Sequence, residues 1–403
     1  MIKQFLFCLL IVAAGAMPVH AQKQLKQLRA YVKAKNTGEA MKEVQRLEAD
    51  SVCRLLPKLY ELAVETQILI NNVENEKVYL KQQCDTAKFF NSTLLIFDYA
   101  LKGDKIEQML HAEHGNKFKL RDKHAGLLRM YYRNLNMGAR YFYTKGNYKD
   151  AQQLLGTALL MARQPMWSAQ SVDSTHAEFI SNIYRYTYAA YVNHDYDNVE
   201  RYKHIMLSEP QYSKSALEIY ARSAQASGKD RDFEEYLNHG MKVFPLYPYF
   251  FDELADVLLK ERRFDDAIAH AENLLAVDSL SIKALELKAK SLFVLERYDS
   301  CMAVSKHLVD LDTACVYPEV NYYVAKIAMS EIADVEIPLD MFSEEFKAAK
   351  RKVVHTCAFA RRYAERYRVL CPEEKDKWGP ILYKIYLELN LGKEFEEICK
   401  LYQ

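Results

Sequence analysis

Several stretches of this 403-residue chain concentrate side chains able to bind or react. His111-Ala112-Glu113-His114 puts two imidazoles and a carboxylate within one helical turn. A zinc-peptidase helix instead spaces its histidines four apart, with the glutamate next to the first. No third ligand is marked, and catalytic zinc needs three from the protein. The tetrad reads as a polar loop edge, and neither a metal nor a cofactor is assigned. Just after it, in Lys117-Phe118-Lys119-Leu120-Arg121-Asp122-Lys123, basic and apolar residues alternate up to Asp122. If extended, this segment sets Lys117, Lys119, Arg121 and Lys123 on one side and Phe118 and Leu120 on the other. Such an edge suits an acidic peptide, a phosphate-rich glycan or lipid headgroups. The competing reading is a solvated insertion whose apolar side rests on neighbouring helices.

A second basic run, Lys347, Lys350, Arg351, Lys352, Arg361, Arg362, Arg366 and Arg368, falls on a long helix expected from near Ser343. Its charges surround the axis among Val353, Val354, Phe359, Tyr363 and Tyr367, the pattern of a packing helix with a solvated face. Tyrosines cluster twice: Tyr131, Tyr132, Tyr141 and Tyr143, then Tyr184, Tyr186, Tyr188 and Tyr191. Consecutive and alternating residues cannot share one helix face. Some must pack, whereas exposed Tyr132, Tyr143, Tyr184 or Tyr188 would offer an extended peptide or a sugar ring a flat amphipathic surface. Gly-rich phosphate loops, nucleophile elbows and cysteine-histidine metal frameworks are absent from the sequence.

Lys3, the apolar run Phe5 to Ala16 and the small-residue exit Val19-His20-Ala21 read as an export signal over residues 1–21, with the mature chain starting near Gln22. No later stretch approaches the ~20 uninterrupted apolar residues of a bilayer crossing. Cys8 lies inside the apolar run, so no anchor cysteine remains at the cleavage point. The expected destination is the periplasm, with the cell surface and the medium as alternatives. Losing Lys3 lowers Lys plus Arg from 55 to 54, against 54 acids, so no global charge draws the chain to nucleic acid. Of eight cysteines, removal of Cys8 leaves an odd number. Pairing Cys301 with Cys315, or Cys357 with Cys371, needs a turn between them, because an unbroken helix would hold each pair about 21 Å apart. Cys301 reads as a small buried contact residue.

Helical spacing pervades the chain, as in Leu254, Val257, Leu258 and then Ile268, Ala271, Leu274, Leu275. An aromatic residue opens the second helix of each expected pair at Tyr148, Tyr196, Phe233, Phe264 and Tyr298, at intervals of 48, 37, 31 and 34. Leu254, Ala255, Leu258, Phe264, Ala267, Ala271 and Leu274 alternate large and small contacts. The pattern returns in Leu285, Ala289, Leu292, Tyr298, Cys301 and Leu308, and in Leu135, Ala139, Phe142, Ala151, Leu155 and Ala158. Small residues let helices approach and large ones fill the space beside them. Thr187, Val199 and Tyr236 depart from it by standing at small positions.

At these residues the chain resembles the tetratricopeptide family, whose period is 34. Asp85-Thr86-Ala87-Lys88-Phe89-Phe90, Ala162-Arg163-Gln164-Pro165 and the carboxyl end from Trp378 to Phe395 are similar to exported tetratricopeptide proteins common in Bacteroidetes. The resemblance implies an all-α solenoid of about seven or eight helical hairpins whose first helices line a concave groove. Residues 22–123 are expected to form divergent hairpins with a basic insertion near 111–123, residues 124–316 the repeats, and residues 317–403 terminal hairpins and a cap. The function expected is that of an exported, non-enzymatic scaffold holding a protein or peptide partner. The alternative is a glycan-binding component of an outer-membrane uptake system.

Overall fold

The computed structural model describes residues 19–164, 176–314 and 316–401, in which helices are joined by turns and irregular links, with no strand among them. The expected signal falls almost wholly outside the described residues, as do Cys315 and the loop expected around Pro165 to Ser174. Backbone contacts divide the chain into two units, residues 1–228 and 229–403.

The first unit comprises α1 (Val19–Lys33), α2 (Thr37–Ala49), α3 (Pro57–Tyr79), α4 (Thr86–His114), α5 (Arg121–Thr144), α6 (Tyr148–Met161), α7 (His176–Val192), α8 (Tyr196–Val199), α9 (Lys203–Ser208) and α10 (Pro210–Ala226). The second comprises α11 (Asp230–Val243), α12 (Pro248–Lys260), α13 (Phe264–Leu275), α14 (Ile282–Val294), α15 (Tyr298–Leu311), α16 (Glu319–Ala333), α17 (Glu344–Leu370), α18 (Lys375–Glu388) and α19 (Gly392–Lys400). Within each unit most helices pack on those before and after them, and some on the next but one, so each unit is a one-dimensional stack of helical pairs. The expected boundary after Lys123 falls inside α5, and the one after Val316 falls in the link between α15 and α16.

A single turn geometry sets the spacing. Lys35, Gly146, His194, Gly228, Arg262, Glu296 and Asn390 all adopt positive φ, and each stands two residues before the next helix starts. Among them His194, Gly228, Arg262 and Glu296 follow one another at steps of 34 residues. The period is therefore more regular than the aromatic spacing implies. Phe233 does not open a helix, because α11 begins at Asp230. One period on, Phe233 corresponds to Ala267 and Tyr236 to His270, so the pairing of Tyr236 with an alanine position is corrected. Five of these seven left-handed residues are not glycine, which shows that packing overrides a local cost of roughly 1–2 kcal/mol each.

The core follows the size pattern. Ala139, Ala151, Ala158, Ala267, Ala271, Ala289 and Cys301 are fully or almost fully buried, as are Leu135, Leu155, Leu254 and Leu308. The Cys301 thiol donates to the Ala289 carbonyl at 3.3 Å, and burial raises its pKa. Val199 is fully buried at the position that holds Ala267 two periods later and Cys301 three periods later, and the helix breaks directly after it into α8 and α9. Cys357 and Cys371 are separated by the uninterrupted remainder of α17 and are both free.

Where α11 meets α12, the two sizes change places. A Cβ on Gly240 would lie 2.4 Å from the Phe250 ring, below any tolerated contact. One period later the same positions hold Leu274 and Ala284, both buried. The bulk thus moves from one helix to the next while the space stays filled. Gly240→Leu alone should destabilise the second unit by at least about 1–3 kcal/mol through overpacking. Adding Phe250→Ala should recover a large part of that loss. Urea unfolding of both single variants and the double variant checks this; additive losses would show that the positions do not share one space.

Candidate functional site

The basic segment is not an extended edge. Residues 115–118 are irregular, and α5 starts at Arg121 because the buried Glu107 carboxylate on α4 accepts from the backbone N–H groups of Lys119, Leu120 and Arg121 at 2.9–3.2 Å. These are otherwise unpaired donors at a helix start, where negative charge is favoured. Arg121 also forks onto Asp104 at 2.7 and 3.0 Å and lies 3.8 Å above the Phe118 ring. Lys123 bonds to Glu61 at 2.6 Å. Burial would raise the Glu61 carboxyl, but Lys123 and Lys58 outweigh it and hold it below its ordinary value. Arg121 and Lys123 are therefore joints between helices, and Lys117 and Lys119 are left exposed. This corrects the one-sided clamp of four cations. His111 bonds through Nδ1 to the Asn116 carbonyl at 2.7 Å at the exposed end of α4.

Tyr132 is also reassigned. It is buried among the core residues of α5, and its hydroxyl donates to the Ala158 carbonyl at 3.2 Å. The helical period places it with Leu128, Leu135 and Ala139 on the inward face. Tyr143, Tyr184 and Tyr188 do come together around α7. Tyr143 and Tyr188 meet each other and Tyr148, with ring centroids 5.4–6.0 Å apart, while Tyr184 stacks on Tyr212 at 4.7 Å. Burial first, then neighbouring phenols, pushes the Tyr143 and Tyr188 hydroxyls up, so both stay neutral at ordinary pH.

Three clefts open on the first helices of successive pairs. On α5, Arg129, Tyr132, Arg133, Asn136, Met137 and Arg140, with Glu178 from α7, border one of about 350 Å³, Tyr132 from its buried place at the floor. Between α7 and α10, Tyr184, Tyr188 and Tyr191 face Glu218, Ile219 and Arg222 around about 380 Å³. In the second unit, Asp252, Asp256, Lys283, Glu286, Lys290 and Tyr317 surround about 240 Å³ on α12 and α14. Tyr184, Glu218, Asp252 and Glu286 stand at the same step of 34 residues as the turns. One repeat position therefore lines two of the three clefts, the one on α7 and α10 and the one on α12 and α14. The repeats are tetratricopeptide-like. Their first helices present that position outward, and its chemistry passes from phenol on α7 to carboxylate on α10, α12 and α14.

Solved structures similar to the chain include the carboxyl-terminal part of a TPR repeat-containing protein from Cytophaga hutchinsonii. It is 13% identical, with 63% of this chain and 95% of that one covered, at a TM-score of 0.33. The TPR domain of P58(IPK) is 11% identical over 96% and 99%, at 0.24. A circular tandem repeat protein is 15% identical over 94% and 88%, also at 0.24. No protein-family model and no curated protein matches the chain. The tetratricopeptide-like assignment rests on the turns, the small contact positions and the common cleft position of this chain.

The sequence reading passed over Arg129, Arg133, Arg140, Met137 and Arg222, and named Tyr191 without a role. A signal was present, since Arg129, Arg133 and Arg140 recur at four and seven residues and so share a helix face. Alternation drew attention to Lys117–Lys123 because strand-like spacing stands out in a helical chain.

Two substitutions separate architecture from binding surface. Arg121→Ala leaves Asp104, 2% exposed, as a buried charge without its fork partner, and should cost about 3–5 kcal/mol in urea unfolding of the first unit. Glu286 behaves otherwise: burial raises its pKa, Lys290 opposes this, and Glu319 adds to it. A carboxyl raised by folding stabilises below its unfolded pKa, and that contribution is lost as pH rises through the folded value. Glu286→Gln should accordingly stabilise the protein at neutral pH. The gain should vanish by about pH 4, below the ordinary glutamate pKa. Urea midpoints of both proteins at the two pH values test the sign.

Proposed function

We propose that this chain is an exported scaffold that binds a segment of another protein along the first helices of its tetratricopeptide-like pairs, without covalent chemistry. The observation carrying this reading is the recurrence of one position, Tyr184, Glu218, Asp252 and Glu286, at two of the three clefts. A repeat that needs only to stack has no reason to open a cleft at the same position on successive helices. In the first unit the cleft walls are tyrosines and arginines, residue types that supply most of the energy in protein recognition. Rings held by their neighbours, as in Tyr143–Tyr148–Tyr188 and Tyr184–Tyr212, lose little freedom on binding.

Export is supported by Lys3, the apolar run Phe5 to Ala16 and Val19-His20-Ala21. Among the described residues no helix is long and apolar enough to cross a membrane. The tyrosine cleft between α7 and α10, with Glu218 and Arg222 opposite, also favours a second reading in which sugar rings dock there as part of an uptake system.

Affinity capture from the envelope fraction with the full chain as bait should recover a reproducible protein partner. The bait's own amino terminus should begin near Gln22. Tyr184→Ala/Tyr188→Ala should weaken capture at least about tenfold, since each hot-spot aromatic contributes on the order of 2 kcal/mol. Undiminished capture by that variant would refute the cleft as the binding surface. A glycan-array hit lost in the same variant would select the second reading.

A further inference from the structure

The link between α16 and α17, residues 334–343, is the longest in the second unit, at ten residues against three to seven for the others. Since the two helices pack on one another, the extra length does not bridge distant elements. It holds Glu336-Ile337-Pro338-Leu339-Asp340-Met341-Phe342, in which large apolar residues are interleaved with acids. Leu339 is 100% exposed, Phe342 85%, Met341 64% and Ile337 43%. Four large apolar side chains within six residues are thus left in water, in a unit that buries such residues along its helices.

The exposure is held in place by the surrounding structure. At one end of the link Val335 packs on the core formed by α16–α19. At the other, the Asp340 carboxylate accepts from the Phe342 N–H at 3.0 Å, and the Ser343 N–H and hydroxyl both donate to the Asp340 carbonyl, at 3.2 and 2.8 Å. Ser343 in turn caps α17, its hydroxyl oxygen accepting from the Phe346 N–H at 3.1 Å. Met341 and Phe342 therefore stand on a turn whose backbone is already bonded, and little freedom is left to lose on binding. These bonds also occupy the N–H groups of Phe342 and Ser343, and Pro338 has none. Recognition by added strand pairing is poorly served, so the side chains must carry it.

Charge indicates what would cover them. Asp334, Glu336, Asp340, Glu344 and Glu345 flank or interrupt the apolar residues, and no Lys, Arg or His occurs between Lys326 and Lys347. Glu344 pairs with Lys347 at 2.8 Å; among the described residues the other four enter no ion pair. An anionic lipid surface would be repelled by these acids, whereas an apolar groove rimmed by lysine or arginine would meet both features. We infer that the α16–α17 link is a docking loop, which inserts Leu339, Met341 and Phe342 into an apolar groove of a partner protein whose rim is basic. The scaffold reading makes the chain a host for a segment of another protein; here its own segment is the guest. The loop shares no residue with the clefts, so its failure would leave that reading standing.

The test uses the full chain and a fluorescent synthetic helix of four turns, with leucines along one face and lysines on both sides of them, as one wall of such a groove. The helix should bind. Leu339→Ser/Phe342→Ser, and separately Asp334→Asn/Glu336→Gln, should each weaken binding about tenfold or more, whereas Tyr184→Ala/Tyr188→Ala should bind as wild type does. All four loop positions are exposed, and an unchanged thermal melt confirms folding; the single Leu339→Ser variant serves if the double one melts early. Absence of binding, full affinity in either loop variant, or an equal loss in the tyrosine variant would overturn the inference. So would equal binding of a helix with glutamate in place of lysine, or with serine in place of leucine, the second marking a bare acidic surface. Loop-dependent cosedimentation with phosphatidylcholine or phosphatidylglycerol vesicles would overturn it in favour of a lipid surface. Sedimentation velocity showing a wild-type dimer and a Leu339→Ser/Phe342→Ser monomer would overturn it by assigning the loop to a second copy of this chain.

Discussion

A pair of short helices cannot bury its apolar surface on its own, and everything else in this protein follows from that shortfall. The remedy is close stacking, which needs a small residue wherever two helix backbones approach and a large one beside it. Ala151, Ala267, Ala289 and Cys301 fill the first role, and Leu155, Leu254 and Leu308 the second. Because the requirement concerns summed volume at a contact, it tolerates exchange. Gly240 with Phe250 fills the space that Leu274 and Ala284 fill one period later.

Stacking also explains the cost accepted in the turns. His194, Arg262 and Glu296 adopt the left-handed conformation that glycine takes at Gly146 and Gly228. Of these side chains, His194 has a local partner, the Tyr196 hydroxyl at 2.9 Å from its Nδ1. The geometry persists because it returns the second helix onto the first at the angle the buried alanines require. With turns and contacts thus constrained, the outward positions of first helices are free to vary. The variation is chemically ordered: arginine and methionine on α5, tyrosine on α7, and carboxylates with lysines on α12 and α14.

The fold was largely legible in the residues. Phe264 and Tyr298 open helices 34 apart as their spacing predicts, and Tyr148 and Tyr196 do so as well. Phe233 misled because an aromatic residue marks a helix start only where the alanine position three residues on remains small. There the large residue had itself moved into that position. The proposed binding surface was far less legible. Tyr132 and Tyr143 are eleven residues apart on one helix and look equivalent in sequence, yet one donates to Ala158 in the core and the other joins the tyrosine cluster around α7.

The sequence alone determined that the described chain is helical, that its units repeat at 34 residues and that its small positions are contacts, because periodicity and side-chain volume are local properties. Only the tertiary structure decided which charges are available. Arg121 and Lys123 looked like a docking edge, but Asp104, Glu107 and Glu61, distant in sequence, pair with them or bind the backbone beside them and make them joints. Arg129, Arg133 and Arg140, which no motif marks in the sequence, border a cleft. Whether a charge holds helices together or faces a partner depends on what another segment places opposite it, and no spacing within one segment carries that information.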